Sequence, residues 1–112
     1  MQRTVAADGF RTEYPYAGVA VVAENIAPED DLSSSIAVET VRDVFAEGVA
    51  FGVEDALRDS FEEASELIRE KGLGGCSAAA LAFSATHIWY ALAGNCRIYR
   101  IDSDGVRCIV QD

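Results

Sequence analysis

The chain has 112 residues, half of them hydrophobic and a quarter charged, with 19 acids against 9 Lys plus Arg and a formal net charge of -10. That length fits one domain, residues 1–112, around one core, and the composition is globular rather than disordered. A negative field of this size repels phosphate backbones and anionic lipid, so neither a nucleic-acid nor a membrane-surface partner is expected.

Residues 3–8 and 18–23 read as strands, the second being the apolar run Gly18-Val19-Ala20-Val21-Val22-Ala23. The connection "GFRTEYPY" between them contains Pro15, which cannot continue a hydrogen-bonded ladder. The acidic loop at 24–31 follows, and Asp31 or Ser33 is placed to cap a helix over about 34–47. Ile36, Ala37, Val41, Val44 and Phe45 form its apolar stripe, and Gly48 ends it. A second helix, 53–71, is the clearest element in the chain. Val53, Ala56, Leu57, Phe61, Ala64, Leu67 and Ile68 recur at three- and four-residue steps, Glu54 and Asp55 open it, and Gly72 closes it.

After the hinge "GLGG" at 72–75 the period becomes that of strands, with Asp104-Gly105 as a hairpin turn before "VRCIV". The small residues at 78–80 and 82 imply a sheet face on which helices pack closely. The expected fold is therefore α+β: an antiparallel sheet with two helices on one face. Such a sheet leaves its other face without cover, as in half of a sheet-on-sheet sandwich.

Cys76, Cys96 and Cys108 are odd in number and widely spaced, fitting neither a disulfide framework nor a zinc site. They are expected to be reduced thiols of a cytoplasmic protein, packed as small hydrophobes. No apolar run approaches the ~20 residues of a membrane span, and Met1-Gln2-Arg3 opens no signal-peptide core. "GLGG" follows a helix where phosphate-binding loops precede one, so it reads as a hinge. His87 reads as a turn residue. Trp89, Tyr90 and Tyr99 read as core or cross-strand residues, with an exposed patch for a partner as the alternative.

Five short motifs in this order resemble the metal-dependent type-2C protein serine/threonine phosphatases over the first half of their domain. Gly9-Phe10-Arg11 matches a Gly-x-Arg stretch, and "VAVVAEN" at 19–25 matches a metal-binding strand end. "SIAVETVRDVF" at 35–45 stands at the first helix, Gly75-Cys76-Ser77-Ala78 at Gly-Thr-Thr-Ala, and Gly94-Asn95-Cys96-Arg97 at Gly-Asp-Ser-Arg. The resemblance implies an αββα sandwich, a pair of divalent ions held by carboxylates, and a metal-bridged water that attacks phosphorus.

The departures fall on the metal ligands. The family's Asn-Glu-Asp triplet aligns with Tyr14-Pro15-Tyr16, its Asp-Gly metal pair with Glu24-Asn25, and its Gly-Asp-Ser-Arg acid with the neutral Asn95. One carboxylate, Glu24, remains as a vestigial metal candidate. The expectation is a catalytically inactive, phosphatase-like interaction or regulatory module with no catalytic residue and no cofactor. It would form a homodimer through the uncovered sheet face, with Trp89 or Tyr99 near the contact, or bind another protein there. Two alternatives stand beside it. One is a phosphatase using Mn2+ or Mg2+, with ligands supplied by a second chain; the other is a phosphate or phosphopeptide binder using Arg11.

Overall fold

The computed structural model describes residues 3–8, 18–84, 86–94 and 96–111. Its elements are β1 (Arg3–Asp8), β2 (Gly18–Asn25), α1 (Ser33–Gly48), a single 3-10 turn (Val49–Phe51), α2 (Val53–Glu70), β3 (Cys76–Phe83), β4 (Ile88–Ala93), β5 (Arg97–Asp102) and β6 (Gly105–Gln111). The fold is α+β, as the change of hydrophobic period implies, and every strand pairing is antiparallel. The strands do not make one sheet, however. β1-β2-β3-β4 form a four-stranded sheet, while β5 and β6 form a separate two-stranded ribbon.

The division of the sheet into two faces follows from register. Val19, Val21 and Ala23 of β2 sit opposite Ala82, Ala80 and Ala78 of β3, which in turn oppose Trp89, Ala91 and Ala93 of β4. This set faces the helices, and the β2 and β3 members are all buried. Alanine under a helix lets the two layers approach closely, so the volume of the core comes mainly from the helices. α1 contributes Ala37, Val38, Val41 and the fully buried Phe45; α2 contributes Ala56, Leu57 and Ala64, with Phe61 and Ile68 packed alongside. The stripe of α1 is rotated from the sequence reading: Val38 belongs to it, while Ile36 and Val44 are only half-buried at its margins.

α2 begins at Val53 with Glu54 and Asp55 in its first turn. It ends in a Schellman motif: Leu73 N–H donates to Ile68 C=O (3.2 Å) and Gly72 N–H to Arg69 C=O (3.0 Å). Gly72 adopts the required left-handed conformation at φ 68°. Buried Ser60 is satisfied within the helix, its hydroxyl donating to Leu57 C=O at 2.8 Å. Among the described residues no helix is long and apolar enough to cross a membrane.

The buried and exposed phenylalanines make a direct test of this core. Phe45→Ala is expected to destabilise the chain by about 3–5 kcal/mol in denaturant unfolding. Phe51→Ala, at a position 89% exposed, is expected to change stability by less than about 0.5 kcal/mol.

Candidate functional site

Among the described residues, parts of the motifs at 19–25, 75–78 and 94–97 meet at one end of the four-stranded sheet. β2 exits there at Asn25, the hinge at 72–75 leads into β3 there, and β4 leaves there at Gly94. Register pairs Asn25 with Cys76 and Glu24 with Ser77. Gly94 lies against Ser77, with φ 78°; a Cβ at this position would stand 2.5 Å from Ser77 Oγ. Only glycine permits both that conformation and that approach. Arg11, Tyr16 and Asn95 lie outside the described residues.

On the helix side of this corner, the polar groups are committed to holding chain segments together. Asp30 is buried in the loop between β2 and α1. Its Oδ1 accepts the N–H groups of Leu32 (2.9 Å) and Ser33 (3.0 Å). Its Oδ2 accepts the Ser33 hydroxyl and, across 44 residues of sequence, the Gly74 N–H at 3.1 Å. Ser33 Oγ in turn accepts Gly75 N–H at 3.2 Å, and Ile26 N–H donates to Gly75 C=O at 3.1 Å. The sequence pointed to Asp31 or Ser33 as the cap of α1. The geometry gives that work to Asp30, because its carboxylate reaches both the helix start and the hinge.

Asn25 completes the anchor. Its Oδ1 accepts Ser34 N–H at 2.7 Å, so the backbone donor fixes which amide atom is oxygen. Its Nδ2 is buried without a hydrogen-bond partner among the described residues. Cys76 donates weakly to Ser33 C=O at 3.7 Å. Burial, with Asp30 and Cys96 nearby, pushes its thiol up from the usual value, the reverse of a nucleophile.

Alternation along β2 puts Glu24 on the opposite face of the sheet from Asn25, beside Ser77. Arg97 lies beyond the corner on β5, where its guanidinium donates to the Tyr99 hydroxyl at 3.4 Å. That contact is the leading cause holding its pKa above the ordinary arginine value. His87 closes the turn before β4, its C=O accepting Ser84 N–H at 2.9 Å, and its ring stacks on Trp89 at 5.7 Å.

This corner does not fit a divalent metal pair. A hard cation needs several oxygen ligands. Both Asp30 oxygens already accept backbone or hydroxyl donors, Asn25 turns an amide donor inward, and Glu24 stands on the other face. Among the described residues no group of three or more His, Cys, Asp or Glu side chains is placed to hold an ion. What the arrangement does chemically is fix a helix terminus and a hinge.

The second feature of the site is the face turned away from the helices. Val22, Leu81, Phe83, Ile88, Tyr90 and Leu92 share it by register. Val22 is 36% exposed, Phe83 38%, Tyr90 49% and Ile88 60%. Trp89 packs against the core on the other side, so the aromatic residues of this face are Phe83 and Tyr90. No family model, curated protein or solved structure matches the chain.

Asp30 makes the anchor sensitive to acid. Its hydrogen bonds, the one from the Ser33 side chain foremost, hold its pKa at about 2 against an ordinary value of 3.8. A lowered folded-state pKa stabilises the fold fully above the unfolded value and ceases to do so as pH falls through the folded one. The melting temperature is therefore expected to drop between about pH 4 and pH 2. Asp30→Asn is expected to melt lower at pH 7 and to lose much of that drop, as followed by circular dichroism.

Proposed function

We propose that this chain is a catalytically silent interaction module, resembling the first half of a type-2C phosphatase domain, that self-associates through its uncovered sheet face. The observation that carries this reading is the apolar character of that face. Four large side chains, Val22, Phe83, Ile88 and Tyr90, stand more than a third exposed on the side of the sheet opposite the helices. Strands ~4.8 Å apart, rising ~3.3 Å per residue, make four strands of about six residues a face of roughly 400 Å2 in projection. Side-chain relief raises this toward the ~800 Å2 that each partner contributes to a standard interface. Exposed apolar side chains gathered on one sheet face mark an interaction site.

A second copy is the simplest occupant, because a two-fold axis lets one patch cover itself. The charge of -10 on each chain opposes association, but screening over ~8 Å at physiological salt weakens charge repulsion and not apolar contact. Catalytic silence rests on the residues at the motif positions: asparagine at 95 and 25, tyrosine at 16, and a corner whose best carboxylate is occupied by backbone.

Light scattering at tens of micromolar (an order of magnitude) is expected to give at least twice the chain mass, with association persisting in high salt, and a folded monomer would overturn the reading. Val22→Asp and Phe83→Asp are each expected to weaken association at least tenfold, about 1.4 kcal/mol. With Mn2+ and p-nitrophenyl phosphate, turnover at background is expected; activity lost in Glu24→Ala would favour the two-chain enzyme instead.

A further inference from the structure

A different surface, the edge of the sheet, carries a second contact. β4 is the terminal strand of the four-stranded sheet, and its outer edge has no strand beside it among the described residues. An open groove of about 580 Å3 runs between this edge and α2. All of residues 88–92 line it. Successive residues of a strand point to opposite faces, so a groove that touches five in a row follows the backbone edge itself. Leu57 and Phe61 of α2 form its apolar wall, with Glu54 and Glu62 on the rim, where Arg58 is held by Asp55 at 2.9 Å.

The β5–β6 ribbon has the complementary chemistry. Its two strands pack chiefly on each other, and both outer edges lack a neighbouring strand among the described residues. Tyr99, Ile101 and Val106 are exposed on it, at 49%, 76% and 67%. It also carries Arg97, Arg100 and Arg107 against Asp102 and Asp104, a net positive segment in a strongly acidic chain. α2, in contrast, carries seven acids against Arg58 and Arg69. β5 and β4 are both six residues long, so their ladders match in length. The ribbon does not fill the groove of its own chain, although only residues 94–96 separate β4 from β5.

We infer that the β5–β6 ribbon of a second copy docks into the groove between β4 and α2, adding its strands to the edge of β4. Backbone hydrogen bonds along β4 supply affinity, as in strand addition generally. By register Tyr99, Ile101 and Val106 share one face of the ribbon with Arg97, so the apolar residues meet Leu57 and Phe61 while Arg97 faces the acidic rim of α2. Arg100, held by Asp102 at 3.0 Å, and Arg107 stand on the other face. The contact is reciprocal, each copy offering one ribbon and one groove.

The test is run in a Val22→Asp, Phe83→Asp background, which removes the open-face contact of the proposed function. This chain is expected to remain a dimer by light scattering and to weaken as salt rises. Adding E54K with E62K, or instead R97E, is expected to raise the dissociation constant at least tenfold. Each variant should keep the far-UV circular dichroism of its parent. An equal mixture of the two variants is expected to restore association, because lysine grooves then meet glutamate ribbons and the native pair meets in the other site. The amides of 88–92 are also expected to exchange more slowly with deuterium at high chain concentration than at low. A monomer in the double-Asp background, or a mixture that associates no better than its components, would overturn the inference. So would exchange at 88–92 that ignores concentration. The open-face reading would survive any of these results, since Val22 and Phe83 test it independently.

Discussion

Two stretches of chain 44 residues apart in sequence meet on one carboxylate. Asp30 accepts the first N–H groups of α1 and the Gly74 N–H of the α2–β3 hinge, and Ser33 extends the same network to Gly75. The first turn of a helix has donors with no partner inside the helix, and a hinge outside any ladder has the same problem. One acceptor group solves both, and in doing so fixes where β3 enters the sheet relative to β2. The Asn25–Ser34 bond repeats the connection one residue further along the helix. The register Asn25↔Cys76, and with it the division of the sheet into two faces, depends on this joint.

The joint also explains why polar residues gather at this corner. Strand ends, a hinge and a glycine bend bring polar residues together, which is the geometry that a metal site uses. Here the oxygen atoms are turned toward backbone donors, so they serve the connections among segments. Among the described residues the surfaces offer an apolar sheet face, an open strand edge and an arginine-bearing ribbon.

The helices were legible in the sequence because their signals are local. In α2 seven apolar residues keep a helical step, and Gly72 needs only its own φ to end the helix. The stripe of α1 keeps Ala37, Val41 and Phe45 but turns toward Val38, since Ile36 and Val38 are both apolar and only the position of the sheet chooses between them. Asp30 was missed because its decisive partner, Gly74, is 44 residues away. Local capping rules therefore favoured Asp31 and Ser33. The separation of β5 and β6 from the main sheet was missed for a related reason. Alternation announces a strand but not its neighbour, and the bend at Gly94 depends on Ser77, in a different strand. Trp89 and Tyr90 could not be told apart by residue type; a register fixed by β3 assigns them to opposite faces. Of the motif residues singled out in the sequence, Arg11, Tyr16 and Asn95 lie outside the described residues.

The ribbon of β5 and β6 has a thermodynamic consequence of its own. A two-stranded hairpin is at best marginally stable in water, and among its described side chains only Ile98 is buried. Its order is thus not guaranteed by the cooperative unit that Phe45 and the alanine strand define, and the protein is better treated as two units with separate opening free energies. Any surface that captures the ribbon must supply the entropy of ordering it as well as the contact energy. The measured affinity of such a contact would be a folding equilibrium and a docking equilibrium combined, and substitutions confined to the Asp104-Gly105 turn would alter it without touching the interface.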